Sequence, residues 1–172
     1  MIREFSAGGV VFRKFEIRNS KFKVRWLVTK STPSELNPNS VWRLPKGLID
    51  DEINVKEPGP IARGERRAKE IDLTNAALRE VREEGGVKAK IIHKIGTIRY
   101  FFERGADKVS KFVTFYLMKY IKDLPEGHDS ETEEVSWLSF EKARKRLKYQ
   151  GEKKILDKAK EILDSGLQGN LI

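Results

Sequence analysis

The sequence predicts an α/β protein, a mixed β-sheet sandwiched between α-helices in a single domain. Three observations carry this. Segments rich in β-branched and aromatic residues occur at the start of the chain and again in its middle. One highly charged helical stretch separates them. Two more helical stretches close the chain. At 172 residues the chain is long enough for one proper core, so one domain over 1–172 is expected.

The elements follow in order. Residues 5–17 (FSAGGVVFRKFEI) and 21–30 (KFKVRWLVTK) read as strands around a turn at Asn19-Ser20. Residues 31–40 hold Ser, Pro and Asn and read as a loop. VWRLPKG (41–47) brings a short strand into a tight turn. Residues 50–70 are dense in charge, carry PGP at their middle and follow neither period, so they read as a long loop or a small excursion. Asp72 or Thr74 is the expected N-cap of the helix LTNAALREVREE, with Gly85-Gly86 as its stop. Strands follow at 88–104, 108–121 and 134–138, the first two joined by a turn at RGAD (104–107). FEKARKRL and GEKKILDKAKEILDSG are the closing helices.

Composition narrows the chemistry. The absence of cysteine excludes disulfides, thiolate zinc sites and a cysteine nucleophile, and the two histidines, His93 and His128, match no zinc spacing. A metal here is therefore expected to be a hard ion on oxygen ligands. The net charge of +9 favours anionic partners, such as nucleotides or polyphosphates. No apolar run is long enough to cross a membrane, and MIREFSAGGVVF reads as a strand rather than a leader, so a cytoplasmic location and no membrane partner are expected.

The stretch NAALREVREEGGV (75–87) carries the densest chemistry. On a helix, Glu80, Glu83 and Glu84 are spaced i, i+3 and i+4, which puts all three carboxylates on one face. Arg79 and Arg82 could make this an ordinary salt-laced helix. Three clustered carboxylates also suit Mg²⁺ or Mn²⁺, which take oxygen ligands and keep waters for substrate phosphates.

REVREEGGV matches the second half of the Nudix box, G-x5-E-x7-R-E-U-x-E-E-x-G-U with U apolar. Arg79, Glu80, Val81, Glu83, Glu84, Gly86 and Val87 are in register, and WRLPKG (42–47) resembles the turn that opens the box. SAGGVVFR, IGTIRYFF, KFVTFYLM and EEVSWLSFEKARKRL resemble the family's other strands and closing helix. The chain thus resembles a Nudix hydrolase over almost its whole length, which implies the Nudix fold and hydrolysis of a nucleoside diphosphate linked to another group by metal-activated water attack on phosphorus. The resemblance implies that Glu80, Glu83 and Glu84, with the carbonyl of Gly47, hold the divalent metal, Mg²⁺ or Mn²⁺. It implies that Arg79 orients one of those carboxylates, and it offers Glu131 of the late loop as a further catalytic carboxylate beside Arg79, Glu83 and Glu84.

One departure stands out. Gly47 lies 32 residues before Arg79 instead of the 14 of the pattern, an excess of about 18, assigned to an insertion at 51–69 within the box. The first glutamate of the pattern would fall at Ile71, with Glu70 one residue early and Asp72 one late. The insertion could shape the substrate mouth, meet a partner or be a surface loop.

SAGGVVF, LPKG and LKYQGEKKILDKA look like the branch that cleaves dinucleoside polyphosphates. Lys46, Arg99, Lys108 and Lys111 would meet an extended polyphosphate, and Tyr100 or Tyr149 would stack on a base. Two alternatives stand beside this reading. One is a nucleotide- or RNA-binding module on the same fold without catalysis, with RNA the less favoured partner. The other is a nucleoside triphosphate pyrophosphatase.

Overall fold

The computed structural model describes residues 1–35, 37–50 and 58–165. Seven strands form one sheet: β1 (Ile2–Ile17), β2 (Lys21–Ser31), β3 (Trp42–Arg43), β4 (Lys46–Leu48), β5 (Val87–Arg104), β6 (Asp107–Asp123) and β7 (Thr132–Leu138). The helices are α1 (Glu70–Gly85), α2 (Phe140–Arg146) and α3 (Gln150–Asp164). The strand order is β3-β2-β1-β6-β5, with β4 also pairing β1 and β7 also pairing β2. β1 and β6 run parallel and the other pairs antiparallel, so the sheet is mixed as expected.

The central position of β1 explains its sequence. Residues Ser6–Phe12 are buried, because helices cover both faces there. Val10 and Phe12 face a core shared with Ala143 of α2 and with Leu156 and Ala159 of α3. Ala7 and Val11 face the other core, against Ala76, Ala77 and Val81 of α1. Period-2 alternation in a strand delivers the two apolar sets to two helical layers.

The β1–β2 turn falls where Asn19 and Ser20 predict it, both with positive φ. The start of α1 is a correction. The helix begins at Glu70, not after Asp72 or Thr74, and Asp72 acts from inside the first turn, its carboxylate accepting the Lys69 N–H at 2.8 Å. A reaching-back acid at N3 satisfies an orphan donor as well as a residue at the cap does.

Of the stretch 51–69 that the sequence assigns to an insertion, 51–57 lies outside the described residues. The part from 58 onward is not a bare surface loop. Ile61 is buried in the α1-side core, Ala62 beside it is buried too, and the Phe5 N–H donates to the Ala62 carbonyl at 2.8 Å. Asp50 fixes this turn, accepting the N–H groups of Ile61 and Ala62 at 2.8 Å each. Among the described residues, no helix is long and apolar enough to cross a membrane.

Candidate active site

Three pieces of chain meet at the C-terminal half of α1. The first is the turn Trp42–Leu48, held on β1 by pairing of β4 and by the Gly9 N–H donating to the Pro45 carbonyl at 3.1 Å. The second is α1 itself. The third is the loop 124–131, which the Asp129 N–H ties to the Glu83 carbonyl at 2.7 Å. Gly86 makes this closure possible. Its φ of 67° is left-handed, and a Cβ there would stand 2.8 Å from the backbone of Gly127 and His128.

Glu80 and Glu84 point inward and are buried, while the Glu83 side chain is 44% exposed. The Glu80 carboxylate lies directly on the turn, so that a Cβ on Gly47 would stand 2.2 Å from Glu80 Oε1. Only glycine allows that approach. Arg79 clamps the same place. Its Nη2 donates to the Leu48 carbonyl at 2.6 Å and to Glu80 Oε1 at 3.0 Å. Glu84 accepts from Arg43 Nη2 and from the Lys46 N–H, each at 3.0 Å.

The electrostatics follow from this burial. Desolvation, and then the charge of Glu84, push the Glu80 carboxyl up to about 8 in spite of Arg79. Desolvation pushes Glu84 up to about 7, opposed by Arg43 and Lys46. Burial alone would lower Arg43, but Glu84, Glu152 and Glu131 outweigh it and hold the guanidinium above its usual range. Glu131 therefore sits within electrostatic reach of both Arg43 and Glu84.

The donor set fits a hard divalent cation. Two buried carboxylates repel each other against a glycine turn, and a cation between oxygen ligands would relieve that strain. The full triad is not assembled in advance. Among the described residues, no three His, Asp or Glu side chains are gathered as a ready metal cluster, and Glu83 leans toward Arg79 at 4.0 Å. Neither candidate for the first box glutamate is here. Glu70 accepts from the Tyr116 hydroxyl and Lys94, and Asp72 from the Lys69 N–H.

Beside the carboxylates lies an aromatic and basic wall. Tyr100 stacks on Tyr149, with centroids 6.5 Å apart and planes 6° apart. Burial raises the Tyr100 hydroxyl above its ordinary range, so it stays protonated. Burial, and then Lys46, pull the Lys111 ammonium down to about 8. The Lys46 ammonium is committed elsewhere, to Glu152 at 3.1 Å. Arg99 is not brought to this wall. It neighbours Tyr100 in a strand and so faces the other side of the sheet, where its Nε donates to Ser110 Oγ and its guanidinium lies over Phe101 and Phe112. Lys108 is exposed near the end of the β5–β6 hairpin.

Two residues here escaped sequence reasoning. Arg43 pairs with Glu84 and keeps a buried Nε with no partner among the described residues. Glu152 is buried and accepts the Leu44 N–H at 2.5 Å as well as Lys46 Nζ. Its signal was present: Glu152 stands in line with Ile155, Leu156 and Ala159, a charge on the apolar stripe of α3.

Comparison with known proteins places this fold and its family. A protein of Mycobacterium tuberculosis named as the mutator protein MutT4 is 31% identical over 124 residues, covering 72% of this chain. The chain spans only 43% of that relative's length. Among solved structures, an Ap4A hydrolase of Caenorhabditis elegans in a binary complex superposes with a TM-score of 0.58 at 19% identity, covering 94% of this chain and 98% of that one. The NUDIX domain of NrtR from Shewanella oneidensis, complexed with ADP ribose, gives 0.59 at 15% identity, covering 94% and 88%. At these identities the likeness shows a shared fold. The model of the NUDIX domain matches residues 15–159, most of the chain, and the protein is a member of the Nudix hydrolase family.

Proposed function

We propose that the protein hydrolyses a pyrophosphate linkage in a dinucleoside polyphosphate, with Mg²⁺ or Mn²⁺ as cofactor. The observation that carries this is the pair of buried carboxylates, Glu80 and Glu84, packed against the Gly47 turn and braced by Arg79 and Arg43. Glu80 and Glu84, joined by Glu83 and the Gly47 carbonyl, would hold the metal. When bound, such an ion acidifies a coordinated water and neutralises phosphate charge. Arg79 keeps the turn and Glu80 in one geometry. Arg43 orients Glu84. Water adds to one phosphorus, the bridging P–O bond breaks, and the proton passes to a carboxylate of the site, with Glu83 and Glu131 the accessible candidates. Lys111 faces the phosphates, and Tyr100 with Tyr149 supports a base.

The Tyr100–Tyr149 wall favours a substrate with a base held away from the scissile bond. The mutator name of the M. tuberculosis relative supports a second reading, a nucleoside triphosphate pyrophosphatase. A panel separates them: diadenosine polyphosphates, nucleoside triphosphates including oxidised forms, ADP-ribose and 5′-triphosphate RNA, each with Mg²⁺ or Mn²⁺. Turnover of the diadenosine compounds, lost in Glu84→Gln, is the expected result. No metal-dependent turnover of any of these would leave only a binding module.

A further inference from the structure

The end of the sheet formed by the β1–β2 hairpin, the end of β6 and the start of β5 has a charge arrangement that folding does not favour. Residues 13–25 carry six cations (Arg13, Lys14, Arg18, Lys21, Lys23, Arg25) and a single acid, Glu16. The register sets like charges directly opposite each other on three rungs: Arg13 with Arg25, Lys88 with Lys122, and Lys90 with Lys119. Directly opposed like charges destabilise a sheet. Among the described residues, none of these ten cations has a carboxylate partner.

Aromatic side chains are interleaved with the charges. The Arg13 guanidinium lies 4.3 Å from the Phe15 ring centre and 4.1 Å from that of Tyr120. Phe22 is 59% exposed on the opposite face of the hairpin. β1 stops pairing with β6 after Phe12 and Lys119. Beyond that rung the hairpin and β6 leave a notch of about 440 Å³, lined by Arg13, Lys14, Phe22, Lys119 and Tyr120. An open notch with the exposed Phe22 at a cationic rim offers stacking to a base and ion pairing to the phosphates beside it.

We propose that this end of the sheet is a docking surface for single-stranded nucleic acid. Cations without carboxylate partners would track the phosphates, and the exposed Phe22 at the rim of the notch would stack on a base. The mutual repulsion of the cations, unhelpful to the isolated fold, is relieved when phosphates lie between them. A lipid surface would use the same charge but not a notch of this shape. The proposal is independent of the hydrolase reading, since none of these residues belongs to the carboxylate site.

The test is fluorescence anisotropy with a labelled oligouridylate of about ten nucleotides, in EDTA so that turnover plays no part. With four or more phosphates contacted, log K should fall against log salt with a slope of about −3 or steeper. Lys23→Gln/Arg25→Gln should cut affinity at least about tenfold and flatten the slope by about 1.4. Phe22→Ala should cut affinity about tenfold and leave the slope unchanged. The Arg25→Gln protein should melt no lower than the parent, because it loses a repulsion, and turnover of a small substrate should be unchanged in every variant. Oligonucleotide binding that these variants leave intact would overturn the proposal. So would binding only to mixed phosphatidylcholine–phosphatidylserine vesicles, or Phe22→Ala without effect while inorganic tripolyphosphate competes as well as the oligonucleotide.

Discussion

Lys46 Nζ stands 3.1 Å from Glu152 Oε2, and both side chains are buried. The pair joins the turn that carries Gly47 to the first turn of α3, and Glu152 also accepts the Leu44 N–H at 2.5 Å. A buried carboxylate with two donors fixes where the turn sits relative to α3. Glu152→Ala leaves an ammonium and a backbone N–H buried without partners, which costs about 3–5 kcal/mol. Chemical denaturation should show that loss. Lys46→Met combined with Glu152→Ala should recover part of the stability, since no charge is then stranded, without restoring turnover.

The two raised carboxylates set a pH dependence of stability. Glu80 and Glu84 have ordinary values near 4.5 when exposed and about 8 and 7 in the fold. A raised folded value means that the fold prefers the protonated acid. Their stabilising contribution is therefore complete below about 4.5 and is lost as pH rises through 7 to 8. Melting curves of the metal-free protein from pH 5 to 9 should show this decline, and Glu80→Gln should flatten it. Added Mg²⁺ or Mn²⁺ should raise the melting temperature more at pH 8 than at pH 6, because the cation binds the ionised pair. An equal rise at both values would argue against Glu80 and Glu84 as the ligands.

Gly47→Ala is a sharp probe of the cradle. Its Cβ would stand 2.2 Å from Glu80 Oε1, so the carboxylate must leave the turn. Displacing a metal ligand by about 1 Å is expected to lower kcat about 10²-fold. Titration calorimetry with Mn²⁺ should show weaker binding in the same variant. Parent-like turnover would mean that Glu80 does not act from this position.

The helix and turns around the site were legible because local rules and spacing agree, whereas the reading of Glu80, Glu83 and Glu84 as metal ligands rests on the resemblance to the Nudix box. The i, i+3, i+4 glutamates, the Gly85-Gly86 stop and the LPKG turn each follow from short-range chemistry, and the strands around them alternate cleanly. The start of α1 was misplaced because a capping acid can serve from N3 as well as from the cap itself. Arg99 was set with Lys46, Lys108 and Lys111 against a polyphosphate, but as the strand neighbour of Tyr100 it faces the other side of the sheet. The partners of Arg43 and Glu152 are remote, 41 residues away for Arg43–Glu84 and 106 for Lys46–Glu152, so that for Glu152 only its place on the apolar stripe of α3 is a local sign. No local pattern reports a pairing at that distance.

The stretch assigned to an insertion provides the last test. A surface loop would tolerate substitution within about 0.5 kcal/mol. Ile61 is instead 2% exposed in the core against α1, and its N–H is held by Asp50 at 2.8 Å. Ile61→Ala should therefore cost about 2–5 kcal/mol in urea denaturation. Asp50 immediately precedes the stretch 51–69, and Arg79 binds the carbonyls of Leu48 and Ile49 just before it. Loosening Ile61 releases Asp50 and lets the Leu48–Ile49 backbone drift from Arg79. Turnover at saturating metal should fall together with stability, and the metal concentration needed for half activity should rise. A stability loss with unchanged metal dependence would confine the insertion to a packing role.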